Sequence, residues 1–144
     1  MSAPDAAGRF TATYVVTERN SGGDGSYSLV DTPVYDPNVV VSNAAVTGQT
    51  NANFAGGGPY VLASNVTILA GATHTYTVTV SAALSAAVIA GTTNVSGCAG
   101  VPGSGLYNRA VVTLPNVAHH AILDAIQVQP SVSLWYGASF TGLL

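Results

Sequence analysis

The chain has 144 residues, a formal net charge of −3 and charged side chains at only 6% of its positions, against about 25% in ordinary soluble domains. It has no lysine, and Arg9, Arg19 and Arg109 are too few and too scattered to track a nucleic-acid backbone or to hold an anionic membrane surface. The length suits one domain with a real core, and no apolar run reaches the roughly 18–20 residues of a membrane-spanning helix.

Met1-Ser-Ala-Pro-Asp5 lacks the basic n-region and apolar h-region of a signal peptide. Export would require a signal outside this sequence or another route. Residues 1–9 read as an N-terminal arm. From Phe10 to Thr17 the pattern alternates with period two, Phe10, Ala12, Tyr14 and Val16 on one face and threonines on the other, which predicts a half-buried strand. Asn20-Ser-Gly-Gly-Asp-Gly25 is a turn cluster. Ser26 to Thr32 returns as a strand with Tyr27 and Leu29 inward, and the two strands are expected to form a hairpin.

Pro33 and Pro37 interrupt the sheet pattern. Val39 to Val46 predicts a third strand, Gln49 to Pro59 a glycine-rich loop, and Tyr60 to Leu69 a fourth strand. Thr73 to Ser81 has the cleanest alternation: His74, Tyr76, Val78 and Val80 on one face, Thr73, Thr75, Thr77 and Thr79 on the other. Apolar on one side and hydroxylated on the other is the mark of an antiparallel sheet with one wet face. Ala82 to Ala90 is alanine-rich and suits a short helical turn. Gly91 to Gly105 is a loop, and Leu106 to Leu114 is a strand. Residues 115–144 form a C-terminal segment in which Ala121 to Leu144 is strongly apolar. About seven strands separated by turns predict an all-β chain, an antiparallel β-sandwich over residues 10–114 followed by an apolar strand or tail.

Three blocks carry a family resemblance: Tyr14-Val-Val-Thr-Glu-Arg-Asn-Ser-Gly-Gly-Asp-Gly-Ser-Tyr-Ser-Leu-Val-Asp-Thr-Pro33, Ile68-Leu-Ala-Gly-Ala-Thr-His-Thr-Tyr-Thr-Val-Thr-Val80, and Gly105-Leu-Tyr-Asn-Arg-Ala-Val-Val-Thr113. Over residues 10–114 the chain resembles the conserved repeat domain of bacterial cell-surface proteins, its actinobacterial members above all. The resemblance implies an immunoglobulin-like sandwich, an extracellular or cell-surface location and a non-catalytic role as spacer, stalk or adhesive module. It brings no catalytic residue and no cofactor. The segment from His119 to Leu144 departs from it. Without lysine, the Lys–Asn or Lys–Asp isopeptide bonds of some surface domains cannot form.

Asp24, Asp31 and Asp36, with Asn20 and Asn38, offer oxygen ligands for calcium, but their spacing matches no EF-hand or Gly-Asp repeat, and aspartate in turns commonly bonds its own backbone. His119, His120 and Asp124 are a metal candidate. Neighbouring histidines on extended chain point apart, so a linker is the preferred reading. His74 is expected to be a partly buried, hydrogen-bonded core residue. Cys98, a lone cysteine in a glycine-rich loop, cannot form an internal disulfide. There is no Gly-x-Ser-x-Gly elbow and no phosphate loop, and no enzyme is expected. Asn65-Val-Thr67 and Asn94-Val-Ser96 fit the glycosylation pattern.

Tyr35, Tyr60, Trp135 and Tyr136 are candidates for stacking on surface glycans. Val128, Val132, Leu134, Trp135 and Tyr136, with Tyr60, are the binding or assembly candidates. The apolar C-terminal segment either packs on its own domain or adds as a donor strand to a neighbouring copy, which builds open-ended fibres. Partners are therefore expected to be copies of the chain, adjacent repeats or glycans.

Overall fold

The computed structural model describes residues 1–95 and 102–115, and the backbone path of residues 123–130. Among these lie eight strands: β1 (Arg9–Asn20), β2 (Gly25–Pro33), β3 (Val39–Gly48), β4 (Ala52–Ala55), β5 (Tyr60–Ile68), β6 (Thr73–Leu84), β7 (Asn108–Thr113) and β8 (Leu123–Pro130). They form two sheets, in the orders β4-β3-β6-β1-β8 and β5-β2-β7. All described pairings are antiparallel. The chain is all-β and two-layered, as the alternation predicts.

The alternation also sets the layers. In β1 the side chains of Phe10, Ala12, Tyr14 and Val16 are buried; in β2 so are Tyr27 and Leu29, and in β6 Tyr76, Val78 and Val80. With Ala44, Val46, Tyr60, Leu62, Ala63 and Ile68 most of them make the main core between the sheets. Phe10, Ala12, Val39, Ala82 and Leu84 make a second cluster at the end where β1 begins. Each large apolar side chain taken from water contributes about 1.5–3 kcal/mol, and these residues come from five of the strands, so no hairpin could bury them alone.

The expected hairpin over residues 10–32 is not formed. β1 pairs with β6 and β8, and β2 pairs with β5 and β7, so the turn cluster is a corner between layers. Alternation says which face of a strand is buried; it does not say which strand lies beside it. The corner is held by Asn20, whose Nδ2 donates to the carbonyls of Gly23, Ile68 and Leu69 at 2.7, 3.2 and 3.2 Å, while its Oδ1 accepts from Gly22 N.

Two further elements differ from expectation. The loop predicted over residues 49–59 contains β4, an edge strand of only four residues with Phe54 half-buried between exposed Asn53 and Ala55. It is too short for periodicity to reveal. β6 continues to Leu84 because Ala82 and Leu84 keep the inward phase. Only Ala86–Ile89 then forms a helical turn, α1, capped by Ser85. The N-terminal arm lies along β1: Ser2 N donates to Thr11 O, and Thr11 N donates to Ser2 Oγ, at 3.0 and 2.8 Å.

Candidate functional site

Most of the buried polar side chains continue the inward phase of the strands. Phe10, Ala12, Tyr14 and Val16 are followed on the same face of β1 by Glu18 and Asn20; Tyr27 and Leu29 are followed on β2 by Asp31. All three polar residues are at most 1% exposed. Extending the period by one or two steps reveals them in the sequence, a signal easily passed over because charged and amide residues read as strand ends.

Asp31 is the centre of one group. Its Oδ2 accepts from the Tyr14 hydroxyl at 2.5 Å, and its Oδ1 accepts from Asn108 Nδ2 at 2.5 Å. β1, β2 and β7 are thereby tied through one carboxylate. Burial pushes the Asp31 carboxyl above the usual carboxylate range, and the two hydrogen bonds pull it back only in part. The phenols of Tyr14 and Tyr35 are pushed well above their usual range, first by burial and then by the Asp31 charge. For the same two reasons Tyr60 is pushed up to about 12.

A second group lies nearer the Asn20 end. The Tyr27 hydroxyl is 2.9 Å from His74 Nδ1 and 2.6 Å from the Tyr76 hydroxyl. Glu18 is the backbone partner of His74 across β1 and β6. Its Oε2 has no hydrogen-bond partner among the described residues, and burial pushes its pKa up to about 7. The phenols of Tyr27 and Tyr76 are raised first by burial, and the Glu18 charge adds to both. His74 is partly buried and bonded, as its phase on the strand implies.

These groups are turned toward one another inside the sandwich. What they do is lock the layers, since a buried donor or acceptor without its partner costs about 1–3 kcal/mol. The solvent face of the five-stranded sheet is a field of hydroxyls. Thr17 pairs with Thr75, Thr47 with Thr77, and Thr13 with Thr79; the Thr13 and Thr79 hydroxyls are 3.1 Å apart.

The proposed calcium ligands are not brought together. Asp24 Oδ1 accepts from Ala70 N at 2.8 Å in the corner, Asp31 lies in the core, and Asp36 Oδ1 accepts from Asn38 N at 2.7 Å near the opposite end. Among the described residues no three His, Cys, Asp or Glu side chains are grouped so that they could hold a metal ion.

Tyr60, expected as a surface aromatic, is fully buried. Its ring packs against Phe54 with centroids 5.2 Å apart, and its hydroxyl donates to Gly56 O at 2.8 Å. The first position of β5 points inward, so the ring fills the core instead of meeting a ligand. Tyr35 is half-buried against both core clusters. Asn65 is exposed, in the left-handed region at φ 50°, where β5 bulges against β2. Asn94 is exposed. Val128 and Asp124 belong to β8, of which the backbone alone is described. Cys98, His119, His120, Val132, Leu134, Trp135 and Tyr136 lie outside the described residues.

No helix among the described residues is long and apolar enough to cross a membrane. Comparison with protein-family models, with curated proteins and with solved structures gave no match.

Proposed function

We propose that the chain is a non-catalytic structural module of a secreted or cell-surface bacterial protein, built as an immunoglobulin-like β-sandwich and serving as a spacer, a stalk segment or a self-assembling subunit. The observation that carries this reading is where the polar chemistry lies. The ionisable residues at the centre of the fold, Asp31 and Glu18, are shut between the sheets and grouped with tyrosines, while a broad solvent face is made of paired threonines. Such a design spends its polar groups on cohesion and on hydration without charge. The blocks at Tyr14–Pro33, Ile68–Val80 and Gly105–Thr113 support the same reading through their likeness to surface repeats.

Protease shaving of intact cells that make the protein tests the location. Release or labelling of the chain from unbroken cells is expected. Labelling only after the cells are opened would overturn the exterior role.

A further inference from the structure

Among the described residues, Glu18 is a buried carboxylate without a counter-ion. It is 1% exposed, and its Oε2 accepts no hydrogen bond. Arg9, Arg19 and Arg109 are all exposed, so no guanidinium is turned inward beside it. The elements around it offer little else to hold its charge. β6 presents His74, whose Nδ1 is engaged with the Tyr27 hydroxyl of β2, and Tyr76, whose hydroxyl bonds the same phenol. Asp24, in the corner, is exposed and bonded to Ala70 N. Asp124, the one ionisable residue of β8, is the register partner of Arg19. A buried charge with no partner persists only if it takes up a proton or if water reaches it.

The weakest wall beside Glu18 is β8. Among the described strands β6 is hydrogen-bonded to β1 on one side and β3 on the other, and β2 lies between β5 and β7, whereas β8 ends its sheet and holds on by one edge. Its ladder with β1 breaks opposite Glu18. Thr17 pairs with Gln127 and Arg19 with Asp124, so Glu18 alone stands against Ala125 and Ile126. Such a bulge leaves backbone groups of the longer strand out of the ladder. Parting β8 from β1 undoes one interrupted ladder, while moving β6 or β2 would undo two.

We infer that β8 is a pH-gated strand: when Glu18 ionises, β8 leaves the β1 edge and admits water to the carboxylate, while β1, β3, β6 and the three-stranded sheet stay folded. Burial sets the sign. It pushes the closed-state carboxyl from 4.5 up to about 7, and hydration in the open state returns it toward its ordinary value. Below 4.5 both states hold the proton and β8 stays closed. Between 4.5 and 7 the open state releases the proton and the closed state keeps it, so opening grows as pH rises. Above about 7 both states are ionised and opening reaches its ceiling.

Amide hydrogen exchange of the full chain, measured across this pH range and corrected for the intrinsic exchange rate, separates local opening of β8 from unfolding of the whole. Opening of residues 123–130 should rise roughly tenfold per pH unit, about 300-fold between pH 4.5 and 7. Tyr76–Val80 of β6 and Tyr27–Leu29 of β2 should keep their protection throughout. Glu18→Gln, which is neutral at every pH, should hold β8 closed and remove the slope. His74→Gln and Asp124→Asn, which delete the neighbouring ionisable groups, should leave the slope in place. Should Glu18→Gln impair folding, the contrast between β8 and β6 in the unaltered chain decides by itself. Opening of β8 that is indifferent to pH, opening shared equally by β6 and β2, or a slope that survives Glu18→Gln would overturn the inference.

Discussion

The Tyr14 hydroxyl donates to Asp31 Oδ2 at 2.5 Å, joining the two sheets through the middle of the core. Among the described residues Asp31 has one further side-chain partner, Asn108. A buried acceptor that loses a partner keeps its desolvation penalty. Tyr14→Phe should therefore lower stability by about 1–3 kcal/mol, read from the urea midpoint. In an Asp31→Asn background the same change should cost less, because a neutral carbonyl is easier to leave with one partner. Equal costs in the two backgrounds would show that the bond is not coupled to stability.

Glu18 makes stability depend on pH in an uncommon direction. Its carboxyl has an ordinary pKa of 4.5 and a folded one of about 7. Below 4.5 both states hold the proton and there is no penalty. Between 4.5 and 7 the unfolded chain releases it and the folded chain keeps it, so stability falls as pH rises through this window. Asp31, also raised, acts in the same sense. Urea titrations on either side of the window should show a higher midpoint on the acid side. Glu18→Gln should flatten the dependence and leave only the share of Asp31; an unaltered slope would reject this role.

Asn20 joins the corner between layers through three carbonyls and one amide N–H. Removing these bonds in Asn20→Ala should cost on the order of 2 kcal/mol. Asn20→Asp should cost more at neutral pH. It replaces the donating amide with an acceptor facing carbonyl oxygens and leaves only the Gly22 bond. Thermal melts of the two variants in one buffer give the order directly.

Gly48 closes β3 with φ 131°, and a Cβ there would lie 2.1 Å from Thr75 O. Because that oxygen is backbone, it cannot swing away. Gly48→Ala should destabilise by about 3 kcal/mol. Gly71 supplies the control, with φ 74° and open space around a built Cβ. There only the left-handed conformation is penalised, about 1–2 kcal/mol. A similar loss at both positions would mean that Gly48 relaxes freely.

Most of the fold was legible in one signal. The alternation through Phe10–Val16, Tyr27–Leu29 and Tyr76–Val80 names the buried faces, and each is buried. The interior locks were within reach of the same signal, since Glu18, Asn20 and Asp31 keep the inward phase. Their charge or polarity disguised them. Tyr60 was misplaced for a related reason: next to a glycine-rich loop its ring reads as exposed, but β5 begins on its inward phase.

Local sequence thus determined the strand type, the inward residues and the breaks at Gly and Pro, because φ, ψ preferences and the two-residue pleat act within a few residues of one another. Only the tertiary structure decided that Asn20–Gly25 turns between layers and that Asp31 gathers Tyr14 and Asn108 from two other strands. Each of these depends on which strands become neighbours. That choice is made by burying several apolar faces at once, and no stretch of chain short enough to show a pattern contains it.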